Sequence, residues 1–418
     1  MRVAIIGGGI TGLTAGYQLV KVGHQVSIFE KENYLGGLAS GFKRKNWKWN
    51  LEHFYHHFFT TDKALKNLIK ELGLSQDFFY LQPKTSVFKA GTISRFDSPL
   101  SVLQFPHLSP SERLRVGLVT AYLKLKTSPR WCCACGTPRR WKFEEITAEN
   151  WLIKSYGKKS YQLLWQPLLE AKFGQYASRV SMIWFWARIK KRSSKLGYFK
   201  GGFQILVNKL AEKIKRKKGK IFLNHEIKNL NELNNFDKII LTISTPKLFK
   251  IASLSTSYQK KLSRLNFVGA LNLILVLKEK FLTDGTYWLN INEKEFPFVA
   301  VVEHTNLVNK KYYGNNHLLY VGGYYSSHHP YFKMNKEEIF KEFLPCLKKI
   351  NSSLNVKYYI LNTNLFAQPV ISVNYSKIMP PMETPIKNVY LANQSLVYPW
   401  DRGVNYAIKL GEEISKLI

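Results

Sequence analysis

Acidic residues are scarce in this chain: 28 Asp and Glu stand against 62 Lys and Arg, a formal net charge of +34 over 418 residues. An imbalance of that size attracts polyanions and anionic bilayers and makes such contacts steeply salt-dependent. No recognisable nucleic-acid-binding module accompanies the charge, so nucleic acid is not expected as a partner. Long apolar runs are also missing. The stretch 267–277 is interrupted by Asn272, and is well short of the roughly 20 residues a membrane-spanning helix needs. Cysteine is rare, with four in all. Cys132, Cys133 and Cys135 cluster without an evident fourth ligand, which argues against a zinc or iron–sulfur site. Their segment, 129–140, differs in composition from its neighbours and reads as an inserted loop with incidental thiols. The first strand begins at Val3, leaving no room for a secretory signal. A cytoplasmic location with reduced thiols is therefore expected. There is no internal repeat and no low-complexity tract.

A chain this long exceeds one ordinary core, so two packed domains are expected. Aromatic residues make up 14%, implying large apolar surfaces that are buried or face a ligand or membrane. The run 182–195 sets Trp184, Phe185 and Trp186 beside Arg188, Lys190, Lys191 and Arg192. Two readings stand: an interfacial anchor giving peripheral association with an anionic membrane, or aromatics lining a cavity or core with the cations in solvent.

Residues 3–6 are a short β-branched run, as a buried parallel strand should be. Gly7–Gly9 forms a turn, residues 12–22 have helical apolar spacing, and Gly23 closes that helix. A second strand over 25–29 ends on Glu30. Further helices are expected over 61–72, 99–122, 147–169, 203–215, 337–349 and 404–416. Strands are expected over 220–223, 238–242 and 388–391. An antiparallel sheet is expected from 270–277, 287–291, 298–303 and 318–322.

Gly7, Gly9 and Gly12 spell G-x-G-x-x-G between a strand and a helix. The first allows the tight turn, the second lets backbone approach a pyrophosphate, and the third lets the helix pack closely on the strand. The N–H groups at the helix start, including those of Ile10 and Thr11, face the phosphates. Glu30, followed by Lys31, sits where an acidic residue accepts hydrogen bonds from a ribose. These elements in register make a dinucleotide-binding unit, and they do not by themselves separate NAD from FAD.

The stretch KENYLGGLASGF resembles the glycine pair of the flavin-containing amine oxidase and phytoene desaturase superfamily, which includes protoporphyrinogen oxidases and is related to UDP-galactopyranose mutases. The closing stretch NVYLANQSLVYPWDRGVNYAIKLGEEI is similar to that superfamily's last motif. The resemblance implies a Rossmann-like α/β FAD-binding domain with an inserted α+β substrate domain lying over the flavin face. It assigns residues 1–80, 200–250 and 365–418 to the FAD domain, and 81–199 with 251–364 to the substrate domain. It also implies that Gly36 and Gly37 lie beside the flavin phosphates and ribityl chain. Leu38 stands where many members carry Arg. Arg402, Gly403 and Val404 form the junction of a helix aimed at the flavin ring, and Ile227 touches the adenine through its backbone. Asn393 and Gln394 replace the usual Gly-Asp, leaving amides to bond the ribityl hydroxyls.

NLEHFYHHFF places His53, His56 and His57 where the superfamily's chain runs past the flavin. His56 and His57 are candidate proton carriers or substrate polarisers, against a purely packed role. Metal binding is not expected there. The expected activity is FAD-dependent oxidation: hydride passes from an unidentified, lipophilic small-molecule substrate to flavin. Alternatives are a non-redox flavoenzyme acting on a nucleotide sugar, or an FAD-binding protein without catalysis.

Overall fold

The computed structural model describes residues 1–127 and 141–418, so the segment 129–140, expected to be an inserted loop, lies outside the described residues. The chain forms two compact units of mixed α/β structure. The first comprises Met1–Tyr80, Gly197–Asn266 and Lys377–Ile418; the second comprises Leu81–Leu196 and Phe267–Ser376.

At the centre of the first unit is a five-stranded sheet. Its order is Lys220–Phe222, Gln25–Phe29 (β2), Arg2–Ile6 (β1), Lys238–Leu241, Val389–Leu391, and every pairing is parallel. Both faces of β1 are covered, which is why Val3, Ala4 and Ile5 are all apolar and fully buried. Helix α1 (Ile10–Lys21) begins two residues earlier than its apolar spacing suggests, because Gly9 is its N-cap. It packs on the sheet through Gly16, where a Cβ would come within 2.8 Å of Ile28 Cδ1. From β1 the chain crosses to β2 on one side and later returns as Lys238–Leu241 on the other. Ligands of open α/β sheets bind at the strands' carboxyl ends, at such a switch point.

The second unit is built on a seven-stranded sheet, ordered Val356–Pro369, Phe267–Leu277, His317–Ser326, Ala300–Glu303, Thr286–Ile291, Lys84–Lys89, Thr92–Arg95. The four strands expected to be antiparallel pair so with one another, but a strand that was not expected, Lys84–Lys89, joins Thr286–Ile291 in parallel. These strands come from distant segments, so no hairpin dictates their direction. Val356–Pro369 is a strand without a sequence signal. It lies at the sheet edge and is partly exposed along most of its length, so it needs no apolar run. Phe267–Leu277 is buried at every position and, with the helix Lys336–Ile350, forms the core.

In the helical block one expectation is refined and one choice between readings is decided. Residues 99–122 divide into Pro99–Leu103 and Pro110–Leu125, each opened by a serine N-cap followed by proline, Ser98 and Ser109. The tryptophan run is not an interfacial anchor. In the helix Met182–Lys191, Trp184 and Trp186 are fully buried. Trp186 meets Trp141 edge-on at 4.4 Å and Trp184 meets Phe173 at 4.8 Å. The Ser181 cap directs the first half of this helix into the core, and only the basic second half emerges.

One buried carboxylate joins separate segments of the first unit. Glu52 accepts from Tyr198 Oη at 2.8 Å and from the N–H of Phe203 at 2.7 Å, at the start of the helix Gln204–Arg216. Burial pushes its pKa up to about 7 against these two bonds, which lower it. The folded state therefore binds this proton more tightly than the unfolded chain. That stabilisation is complete below about 4.5 and is lost as pH rises through about 7. In urea unfolding, the stability of wild type relative to Glu52→Gln should fall by about 3 kcal/mol between those limits and then level off. A difference that stays constant with pH would show that Glu52 does not titrate in this window.

Candidate functional site

The glycine turn after β1 is closed by contacts from three other segments. Gly7 has a positive φ of 110°, and a Cβ there would approach Thr242 Oγ1 to 2.6 Å. A Cβ on Gly12 would come within 2.1 Å of the Gly7 carbonyl. Thr242 Oγ1 donates to the carbonyls of Ile6 and Gly7, at 3.0 and 3.1 Å. This threonine went unnoticed in the sequence; its signal is a hydroxyl at the carboxyl end of the buried run Lys238–Leu241. The glycine pair joins the same turn: Gly36 donates its N–H to Gly8 O at 2.9 Å and forms a parallel bridge with Gly9.

Gly9 differs from its neighbours. Its φ is −74°, open to any residue, and a Cβ there would meet nothing nearer than Gly37 Cα at 4.0 Å. Packing within the protein gives no reason for glycine here, whereas a phosphate group against the backbone does. No side chain caps α1, so the N–H groups of Ile10, Thr11 and Gly12 point outward at the positive end of the helix dipole.

Glu30 has a second task. It accepts from Gly8 N–H at 2.7 Å and from Glu32 N–H at 3.0 Å, pinning the turn to the end of β2. A carboxylate offers about four acceptor sites, so two remain for ribose hydroxyls. Lys31 instead turns to Glu32 at 2.6 Å, and that hydrogen bond holds its pKa up. Leu38 lies in the short turn Gly37–Ala39. Ile227 is buried but follows the strand rather than lying in it. Pairing ends at Phe222, Asn224 takes a positive φ of 51°, and its N–H bonds to Glu32 O.

At the other end of the chain, Gly403 caps the helix Val404–Ile414 without a side-chain bond, leaving a second uncapped N-terminus beside Arg402. This helix packs against α1 closely enough that a Cβ on Gly411 would lie 2.7 Å from Thr11 O. Its own N-terminus is ~10 Å along the axis from that contact. Gln394 opens a one-turn helix, Gln394–Leu396. Asn393 does not reach toward a ligand. Its amide donates to Ile243 O and Thr245 Oγ1, and accepts from the N–H and Oγ of Ser395. Among the described residues, Ser244 Oγ and Tyr406 Oη are buried without a hydrogen-bond partner. Both lie in this unit, and Ser244 is just past a strand's carboxyl end.

The three histidines separate. His53 contacts Ser40 through Nδ1 and packs between Tyr34 and Phe42, a structural role. His56 Nδ1 donates to the Phe54 carbonyl at 2.6 Å, so the neutral ring keeps its lone pair on Nε2. Burial lowers its pKa to about 4, against the Phe54 bond, and the Arg402 charge adds to the lowering. His56 thus offers an acceptor, not a proton, at neutral pH. His57 packs edge-on to Phe59 at 5.4 Å.

The cradle fits a dinucleotide on these grounds: glycine where only a ligand forbids a side chain, two uncapped helix N-termini, and an acidic residue with spare acceptor sites. Relatives agree. A zeta-carotene desaturase from Arabidopsis thaliana is 28% identical over 189 residues, 41% of this chain and 32% of that protein. The chain thus matches about a third of that relative's length. An oxidoreductase from Methanosarcina mazei has the same fold, with a TM-score of 0.74 and 18% identity over 100% of both chains. So does a reduced UDP-galactopyranose mutase, with a TM-score of 0.75 and 14% identity over 100% of this chain and 96% of the other. The family model described as Flavin containing amine oxidoreductase matches residues 10–415, and the chain therefore belongs to that family of FAD-dependent oxidoreductases.

Proposed function

We propose that this protein is an FAD-dependent oxidoreductase acting on a lipophilic small molecule. The observation that carries the cofactor half is Gly9, a glycine that the fold itself does not require, at the uncapped start of α1. The lipophilic substrate class is supported by the likeness to carotenoid desaturases. Bound FAD supplies a hydride acceptor. The chain's own residues bind and orient. The N–H groups of Ile10, Thr11 and Gly12 hold the pyrophosphate, and Glu30 holds the adenosine ribose. Gly36 and Gly37 keep the neighbouring backbone close. The uncapped N-terminus at Val404, with Arg402, would offer positive potential to a negatively charged flavin ring. His56 presents an acceptor lone pair nearby and keeps that role down to about pH 4.

Purified protein should be yellow and release FAD on denaturation. Under nitrogen, the bound flavin should bleach with a lipophilic polyene or amine donor and stay oxidised with a nucleotide sugar. Turnover of the nucleotide sugar without net redox change would instead support the mutase-like alternative. Flavin that binds and never bleaches would support a protein without catalysis.

Gly9→Ala and Gly12→Ala should part company. Gly9→Ala is expected to fold with a thermal midpoint near that of the wild-type apoprotein yet to lose most FAD affinity. Gly12→Ala drives a methyl group into the Gly7 carbonyl and should lose both. Equal FAD affinity in wild type and Gly9→Ala would remove the pyrophosphate from this turn.

Glu30→Ala removes a charge-assisted contact worth roughly 1.5–3 kcal/mol, or about one to two orders of magnitude in FAD affinity. Titration of the apoprotein with FAD, followed by fluorescence quenching, measures it. Unchanged affinity in a folded variant would place the ribose elsewhere.

A further inference from the structure

We propose that the outward face of the helix Pro110–Leu125, with the adjoining helix Pro99–Leu103, is a docking surface for an anionic lipid bilayer. Scattered exposed leucines are ordinary on soluble proteins; these are not scattered. Leu114, Leu118 and Leu125 are 58, 63 and 79% exposed, and Tyr122 is 49% exposed. Their spacing of four, four and three residues puts them on one face of the helix. Exposed Gly117 and Ala121 flank them on one side; Arg115, also exposed, borders Tyr122 on the other and donates to the carbonyls of Lys154 and Ser155. The opposite side is already buried through Val116 and Leu123. The helix is thus apolar on two sides, one of them facing solvent, which core packing does not explain.

The shorter helix adds Leu100 and Leu103, 63 and 51% exposed. Arg113 fastens the two helices, donating from Nη1 to Leu103 O at 2.9 Å and from Nε to Leu108 O at 2.8 Å. The apolar surface is therefore held in place.

Charge identifies the occupant. Between residues 99 and 127 the only acid is Glu112. It is engaged by Ser109 and Lys159 at the first turn. Cations gather at the far end. Lys126 Nζ lies 5.1 Å over the Tyr122 ring and 2.9 Å from its hydroxyl. Lys190 donates to Lys124 O at 2.5 Å, and Lys124 to the Arg192 carbonyl. Leucines on a helix with lysines at its end suit a headgroup layer, where apolar side chains insert and ammonium groups meet lipid phosphate. A protein partner is less well matched, because leucine is under-represented in interface hot spots, which sit in desolvated pockets. Among the described residues no helix is long and apolar enough to cross a membrane. The association proposed is therefore to the surface.

The test is co-sedimentation of the FAD-loaded protein with vesicles of phosphatidylcholine alone and of phosphatidylcholine with phosphatidylglycerol, across a salt series. Leu118→Glu/Leu125→Glu is compared with Lys260→Glu, which changes net charge by the same amount on an exposed residue of another helix. Wild type and Lys260→Glu should pellet with the anionic vesicles, while the double variant's partitioning falls about tenfold or more. Leu118→Ser/Leu125→Ser, a milder change, should fall in the same direction. Flavin absorbance and thermal melting confirm that each variant is folded. Failure of wild type to pellet at low salt would overturn the proposal. So would equal binding by the leucine variants, which would mean that charge alone suffices. A wild-type dimer in the absence of lipid that the leucine variants convert to monomer would assign the face to a second copy of the chain.

Discussion

The cofactor-binding unit depends on how closely α1 starts behind the end of β1. With Gly12 pressed against the Gly7 carbonyl, there is no space for a side chain between strand and helix. Thr242 closes the same turn from the neighbouring strand, and Glu30 ties Gly8 to the end of β2. Three strand ends therefore meet around one loop. Of the loop's backbone N–H groups, those of Gly7 and Gly8 are spent inward, on Phe29 O and Glu30, and the ones left over are at the uncapped start of α1. The uncapped helix start is thus a consequence of packing rather than an addition to it.

The local part of this arrangement was legible in the sequence. Strand, glycine turn, helix and acidic strand end follow one another within thirty residues, and each signals itself by composition. Contacts between distant segments were not legible. Thr242 and Ser244 look like ordinary polar residues until the strand order places them beside Gly7 or at the sheet's carboxyl edge. Asn393 suggested a ligand contact by its place in a familiar motif, but its amide is consumed by Ile243, Thr245 and Ser395. Glu52, next to three histidines, drew no notice, although it fastens the start of the helix Gln204–Arg216.

Hydrophobic pattern left burial open at two helices of the second unit. Trp184 and Trp186 beside a basic run allowed either a surface anchor or a packed core, and they are core. The helix Pro110–Leu125, whose leucines suggested nothing unusual, leaves them in solvent. A run of apolar residues records that burial is favourable. It does not record which face finds a neighbour, because that depends on elements far away in sequence. The edge strand Val356–Pro369 makes the converse point: once an adjacent strand supplies its hydrogen bonds, alternating polar residues suffice.

The five-stranded sheet has a consequence for synthesis on the ribosome. β1 is made first, yet its neighbour on one side comes from Lys238–Leu241, and the strand beyond that, Val389–Leu391, comes from close to the chain's end. The central strand must wait, with one edge unpaired, while more than two hundred residues emerge. At typical elongation rates of about 5–20 residues per second, that is an interval of tens of seconds at the slower end. Unpaired parallel edges of this kind are prone to aggregation. The nascent first unit therefore carries an open strand edge until residues 238–241 emerge to close it.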